Sequence, residues 1–273
     1  MTLVYAPVAH WVWSSNGWLF KAGSLDFAGG IVVHINAGAA AVVAALLIGK
    51  RRNPGLEPHN APYVVLGAAF LWFGWFGFNA GSALAANGQA VNAFLVTNTA
   101  GATAALTWGL LSQFQRGRMS AVGVASGAVA GLAAITPASG FVGVMGSLAI
   151  GLGAGVLCYF AVLLRSKTNL DDALEVFACH GVGGIWGVLA TGVFATAAVG
   201  GTAGAIDGNW GQLWTQLQAV AATFAYSLLV TLAILKVLDL VPGLGLRVSE
   251  SEEDEGLDVV AHGERAYVRD GAD

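Results

Sequence analysis

The chain has 273 residues, of which 56% are hydrophobic and only 10% charged, against roughly 25% charged in an ordinary soluble domain. That balance excludes a water-soluble globular fold, while the net charge of −4 is uninformative as a total. Nine of the sixteen acidic residues lie after Val248, so the net charge describes the C-terminal end rather than the body.

Apolar runs of about twenty residues recur along the chain, the length a helix needs to cross roughly 30 Å of hydrocarbon. Residues 3–13 make only half a span. They read as the outer end of a helix whose beginning is missing, which makes the chain N-terminally truncated, with a short re-entrant or interfacial N-terminus as the alternative. Full spans are expected at 27–49, 63–85, 92–114, 121–141, 143–164, 173–197 and 217–241. The expected fold class is all-α and polytopic: seven full transmembrane helices plus a partial N-terminal one within residues 1–248, then a cytoplasmic tail at 249–273.

Cationic residues give the orientation. Lys50, Arg51 and Arg52 follow the first full span, Arg116 and Arg118 the third, and Arg165 and Lys167 the fifth; Lys236 and Arg247 close the seventh. The loops on the other side hold only Lys21. By the positive-inside rule the basic loops and the tail are cytoplasmic. The stretch 249–255, "SESEEDE", reads as solvated and flexible by composition.

Within the spans, small residues recur every fourth position: Gly123, Gly127 and Gly131, then Gly143, Ser147, Gly151 and Gly155. On a helix each set forms one smooth stripe for close backbone packing. The glycines of "CHGVGGIWG" serve either packing or clearance for a pore. Cys158 and Cys179 sit in separate spans without ligand spacing and read as small core residues. Ser126, in "VASGA", lacks the glycine two positions earlier that a serine-protease element would carry.

Two aspartates precede spans. Asp26 can cap the helix beginning at "FAGG", and at the water interface a carboxylate beside the positive end of a helix dipole is cheap. Asp172 is expected to cap the sixth full span, with Glu175 completing a capping box. Each aspartate lies eight residues before a histidine, His34 and His180. Eight residues of helix rise about 12 Å, and the two spans enter from opposite faces. Both imidazoles therefore lie near the middle of a hydrocarbon core about 30 Å thick. Ionisable groups at that depth mark functional sites. Three readings stay open: interhelical hydrogen-bond partners, a bis-histidine haem site, or a polar pair lining a permeation path.

Four stretches taken together, "SLDFAGGIVVHINAG", "GWFGFNAGSA", "EVFACHGVGGIWG" and "GLDVVAHGERAY", resemble the Amt/MEP/Rh ammonium transporter family, and its bacterial or archaeal Amt branch in particular. The resemblance covers essentially the whole chain and implies a transporter rather than an enzyme, with no cofactor. It implies the later part of an eleven-helix fold built from two inverted five-helix repeats, assembled as a homotrimer in the plasma (inner) membrane. It also implies roles. His34 and His180 are similar to the family's twin histidines at the pore centre, and Asp26 to the aspartate beneath the outer vestibule. Trp13 and Ser82 resemble the outer ammonium recognition site, Phe78 a pore-gating phenylalanine, and Trp75 its pore-lining neighbour. The tail is similar to one that engages a PII-type nitrogen regulatory protein. A chain lacking the first helices raises a second reading: a non-conducting membrane component that keeps the tail for signalling.

These residue types suit ammonium. An aromatic face attracts a cation by roughly 0.5–2 kcal/mol, while carrying the bare ion through hydrocarbon would cost far more. Ammonia crosses more cheaply, which disfavours Na⁺ and K⁺, since neither has a proton to lose. In a dry site the neutral imidazole is the favoured form, and a neutral pair presents one donor and one acceptor.

Overall fold

The computed structural model describes residues 1–55 and 57–265; the last eight residues of the expected tail, including Tyr267 of its family-like segment, lie outside the described residues. Among the described residues every regular element is helical. Two short helices, α1 (Tyr5–Trp13) and α2 (Trp18–Lys21), precede α3 (Gly30–Ile48). Then come α4 (Ala61–Gly81), α5 (Gly88–Arg116), α6 (Ala121–Ile135), α7 (Val144–Arg165) and α8 (Phe177–Phe194). The chain continues through α9 (Ala197–Gly200) and α10 (Trp210–Leu240) to α11 (Glu250–Glu255) and α12 (Leu257–His262).

Each expected span corresponds to a helix, α3 to α8 and α10. Five of them, α3, α4, α7, α8 and α10, are long and apolar enough to cross a membrane by themselves. The helix α5 has 29 residues, about 44 Å at 1.5 Å each, but it carries many threonines, asparagines and glutamines. The helix α6 is shorter than its expected span because Pro137, which lacks an N–H, ends it at Ile135. Turns then carry the chain to Phe141.

In the glycine stripes Gly127, Gly131, Gly151 and Gly155 do what their spacing predicts, whereas Gly143 caps α7 and would place a Cβ in open space. A Cβ on Gly131 of α6 would lie 2.5 Å from the Ala100 carbonyl oxygen of α5, and one on Gly151 of α7 would lie 2.6 Å from the same atom. One turn further along α5, Gly127 and Gly155 approach the Ala104 carbonyl oxygen in the same way. Two helices thus press backbone to backbone on one neighbour. Such contact supplies dispersion energy where lipid offers no hydrophobic drive. The glycines of α8 also serve packing: a Cβ on Gly187 would lie 2.1 Å from the Ala134 carbonyl oxygen, and the Gly38 Cα approaches Gly181. Both cysteines are buried as free thiols.

Two expectations need correction at the basic face. Residues 249–255 are ordered rather than flexible. Ser249 and Glu252 form a capping box that starts α11, and Glu250, Glu253 and Asp254 meet arginines. Arg52 bridges Glu250 and Asp254 while its N–H donates to Glu253, and Arg247 binds Glu253 at 2.6 Å. Glu175 does not complete a capping box with Asp172; it sits at φ +55° and turns back to pair with Arg165 at the end of α7. Beside it Arg51 grips Asp171 through two guanidinium bonds of 2.7 and 2.8 Å and a backbone N–H. That pairing holds the Asp171 carboxyl down at a pKa of about 2.

Candidate functional site: a histidine pair in an apolar cavity

Asp26 starts the site, and its place in the fold corrects the expectation of a water-exposed cap: the residue is only 6% exposed. Its Oδ1 accepts from the N–H groups of Gly29 and Gly30 at 2.8 and 2.6 Å, and its Oδ2 from Ile31 and Val32 at 2.8 and 3.1 Å. One carboxylate therefore takes up all four N–H groups that a helix start leaves orphaned, which is what makes burial tolerable. Gly29 permits the turn, since its φ of +124° is closed to residues with a Cβ. Asp172 acts more sparingly, accepting one N–H bond from Phe177 at 2.7 Å ahead of α8.

Each aspartate is followed by a segment of π-helix, Gly30–Ile35 in α3 and Phe177–Val182 in α8, and each segment contains a histidine. Such single-turn π-bulges interrupt α-helices most often at functional sites. Nothing in the residue pattern signals them. They bring His34 and His180 together: the two Nδ1 atoms are 3.1 Å apart, and the rings lie 5.1 Å between centroids at 26°. One Nδ1 donates and the other accepts. A haem iron held between the two imidazoles as trans ligands would need the nitrogens roughly 4 Å apart, two bonds of about 2 Å, and no group of three or more metal-ligating side chains occurs among the described residues. A direct hydrogen bond is what this spacing fits.

Aromatic residues build the wall. Trp75 of α4 stacks on His34 at 5.4 Å and 23°, and its Nε1 donates to the Thr136 hydroxyl at 2.9 Å. That hydroxyl in turn donates to the Leu132 carbonyl, so the indole is pinned from behind. Phe78 lies one turn along α4, 6.2 Å from His34 and edge-on to Trp75 at 5.7 Å. Together these residues line a cavity of about 690 Å³ with Val33, Phe70, Leu71 and Val176 among its other walls. His34 Nε2 is buried beside it without a hydrogen-bond partner among the described residues.

The remaining two expected residues lie apart from the pair. Trp13, 41% exposed, donates from Nε1 to the Asp26 carbonyl oxygen at 2.8 Å, so its indole is tied to the same turn that starts α3. Ser82 donates its hydroxyl to the Phe78 carbonyl at 2.8 Å. No described hydrogen bond joins Trp13 to Ser82. A residue the sequence reading passed over is Gln216 of α10, wholly buried, which bonds both Leu25 and Val188. The recurrence of glutamine at 212 and 216 on an otherwise apolar helix was the available signal.

The chain is similar to known ammonium transporters. The chain is 52% identical over 271 residues to the ammonium transporter Amt1 of Archaeoglobus fulgidus, covering 98% of this chain and 68% of that one. It is 55% identical over 265 residues to an ammonium transporter of Aquifex aeolicus, covering 97% and 62%. The crystal structure of Saccharomyces cerevisiae Mep2 superposes with a TM-score of 0.90 at 41% identity, over 100% of this chain and 64% of that one. The chain thus spans about two thirds of the length of the relatives it matches. A family model described as Ammonium Transporter Family matches residues 1–267, and with the apolar helices and the relatives above it establishes that this multi-pass membrane chain belongs to the Ammonium Transporter Family.

Proposed function

We propose that the chain carries the conducting centre of an ammonium transporter. The observation that carries this reading is the bonded His34–His180 pair, 3.1 Å between Nδ1 atoms, on the wall of an apolar cavity. Ammonium is recruited at the face opposite the basic loops by the Trp13 ring through cation–π attraction and by a free lone pair of the Ser82 hydroxyl. It loses its proton there, because the cation cannot enter an apolar path at tolerable cost. Ammonia passes Phe78, the gate, with Trp75 beside it. It is met by the unpartnered His34 Nε2, which offers a lone pair or an N–H according to the tautomer. The proton travels separately, through the imidazole pair, whose unperturbed pKa suits transfer near neutrality, and rejoins ammonia on the cytoplasmic side to give ammonium again. Asp26 holds the first half of that relay in place. The working assembly is a homotrimer in the plasma (inner) membrane with the tail in the cytoplasm, where it binds a PII-type nitrogen regulatory protein.

A second reading, a non-conducting component that retains the signalling tail, has one observation in its favour. The helix α4 bounds the cavity yet is scarcely covered, with Phe70 68% and Phe73 77% exposed. Reconstitution separates the two. Liposomes containing the chain should give ammonium-dependent currents, and His34→Ala with His180→Ala should abolish them. Currents unchanged by the double substitution refute the relay; none from the parent chain favours the second reading.

A further inference from the structure

The helix α10 opens with "WGQLWTQLQ", in which Gln212 and Gln216, two of its three glutamines, are four residues apart, which places them on one face. Both are buried, and Gln216 is 0% exposed. Its Oε1 accepts from the Leu25 N–H at 2.8 Å while its Nε2 donates to the Leu25 carbonyl at 2.7 Å. The carboxamide therefore holds both main-chain polar groups of one residue, as a neighbouring strand would. The same Nε2 reaches the Val188 carbonyl at 3.2 Å. Gln212 supports it, donating to the Gly23 carbonyl at 3.0 Å and to Gln216 Oε1 at 3.3 Å.

The two places that Gln216 touches are the significant point. Leu25 immediately precedes Asp26, whose carboxylate begins the helix bearing His34. Val188 lies eight residues after His180 on α8. A helix that contributes no histidine thus grips the segment of each one. The approach depends on Gly192 of α8, where a Cβ would lie 3.0 Å from Gln216 Cγ and 2.9 Å from Leu213 Cα. Gln216 itself has no hydrogen bond to either imidazole.

We propose that Gln216 is a positioning residue that sets the registry between the two histidine-bearing segments. Its carboxamide locks the start of α3 against α8, and that lock fixes the Nδ1···Nδ1 separation. The consequence for transport rests on the conducting reading; the effect on the pair does not.

The test uses the full chain in lipid bilayers with ¹⁵N-labelled histidine. Solid-state NMR reads the imidazole–imidazole hydrogen bond, and ammonium uptake is measured on the same liposomes. Gln216→Met keeps the volume and removes every bond, so the pair signal should disappear. Uptake should fall by about a hundredfold, the order expected when functional groups shift by ~1 Å. Gln216→Asn keeps the amide but is one methylene too short to span both segments, and should lose the signal as well. Gln216→Glu, an isostere that in its protonated form keeps an acceptor for Leu25 N–H and one donor, should retain it. Ile150→Val, a core change between α7 and its neighbours, controls for loosened packing and should leave the pair intact. A folded Gln216→Met chain with the pair signal intact overturns the proposal, and so does an intact signal in Gln216→Asn should the Met variant not fold. Loss of the signal in these variants, with no uptake even by the parent, supports the positioning role and refutes conduction instead.

Discussion

Removing the Asp26 carboxylate is the most severe single change the structure identifies. Its two oxygens take four backbone N–H bonds of 2.6–3.1 Å in a site only 6% exposed. Leaving a buried donor unsatisfied costs about 1–3 kcal/mol. Four donors at the low end make Asp26→Ala cost about 4 kcal/mol, a large part of the 5–15 kcal/mol that holds a typical domain together. Asp26→Asn is no gentle substitute. Its amide oxygen can serve one pair of donors, but its NH₂ then faces the other pair, donor against donor. We expect Asn to lose about half as much as Ala, roughly 2 kcal/mol by the same count. The assay is denaturant-induced unfolding in detergent micelles, followed by tryptophan fluorescence, with the histidine-pair NMR signal as a local readout. Both variants within about 0.5 kcal/mol of the parent, the scatter of an ordinary surface change, would refute the argument that this carboxylate is what lets the helix start be buried.

Three further outcomes are expected. Gly131→Leu forces a side chain into the space where even a Cβ would lie 2.5 Å from the Ala100 carbonyl; it should cost at least about 1–3 kcal/mol by overpacking, measured in the same unfolding assay, whereas Gly143, with nothing within 4 Å, should accept alanine almost freely. The Asp171 pKa falls from 3.8 to about 2 through its Arg51 partner. A depressed carboxyl contributes stability that is fully present above its unfolded pKa and is lost as pH falls through the folded one. Hydrogen exchange in residues 49–55 should therefore be constant from pH 7 to about 4, after correction for intrinsic rates, and accelerate between about pH 4 and 2; Arg51→Gln should remove that step. The α11 acids meet Arg52 and Arg247 at the surface, where single pairs contribute about 0.2–1 kcal/mol and are screened by salt. Proteolysis within residues 249–262 should accordingly speed up in 1 M NaCl and in Arg52→Glu, and a tail equally resistant in all conditions would show that the ion pairs do not hold it.

The sequence by itself determined what lipid and helix geometry force. Hydrocarbon thickness sets span length, and the basic loops set an expected orientation. The four-residue recurrence of glycine identified the faces that meet α5. Asp26 and His34 were legible because a charge or an imidazole in an apolar run is too costly to be incidental. The roles of Trp13, Ser82, Trp75 and Phe78 came from resemblance, and for them the residue pattern alone offered lipid-facing or core alternatives. Only the tertiary structure decided that the histidines touch. Depth along a helix fixes one coordinate, while the lateral approach depends on two π-segments and on the packing of α3 against α8. It also decided that the Asp26 carboxylate is buried, that Glu175 serves Arg165, and that the acidic stretch of the tail is helical. The α11 acids meet Arg52 from 198 residues away, and Glu175 turns back ten residues to Arg165, whereas the Asp26 carboxylate is satisfied by N–H groups just three to six residues ahead of it. Local pattern carries helical period and burial cost, but it carries no record of which distant group will arrive to satisfy a charge.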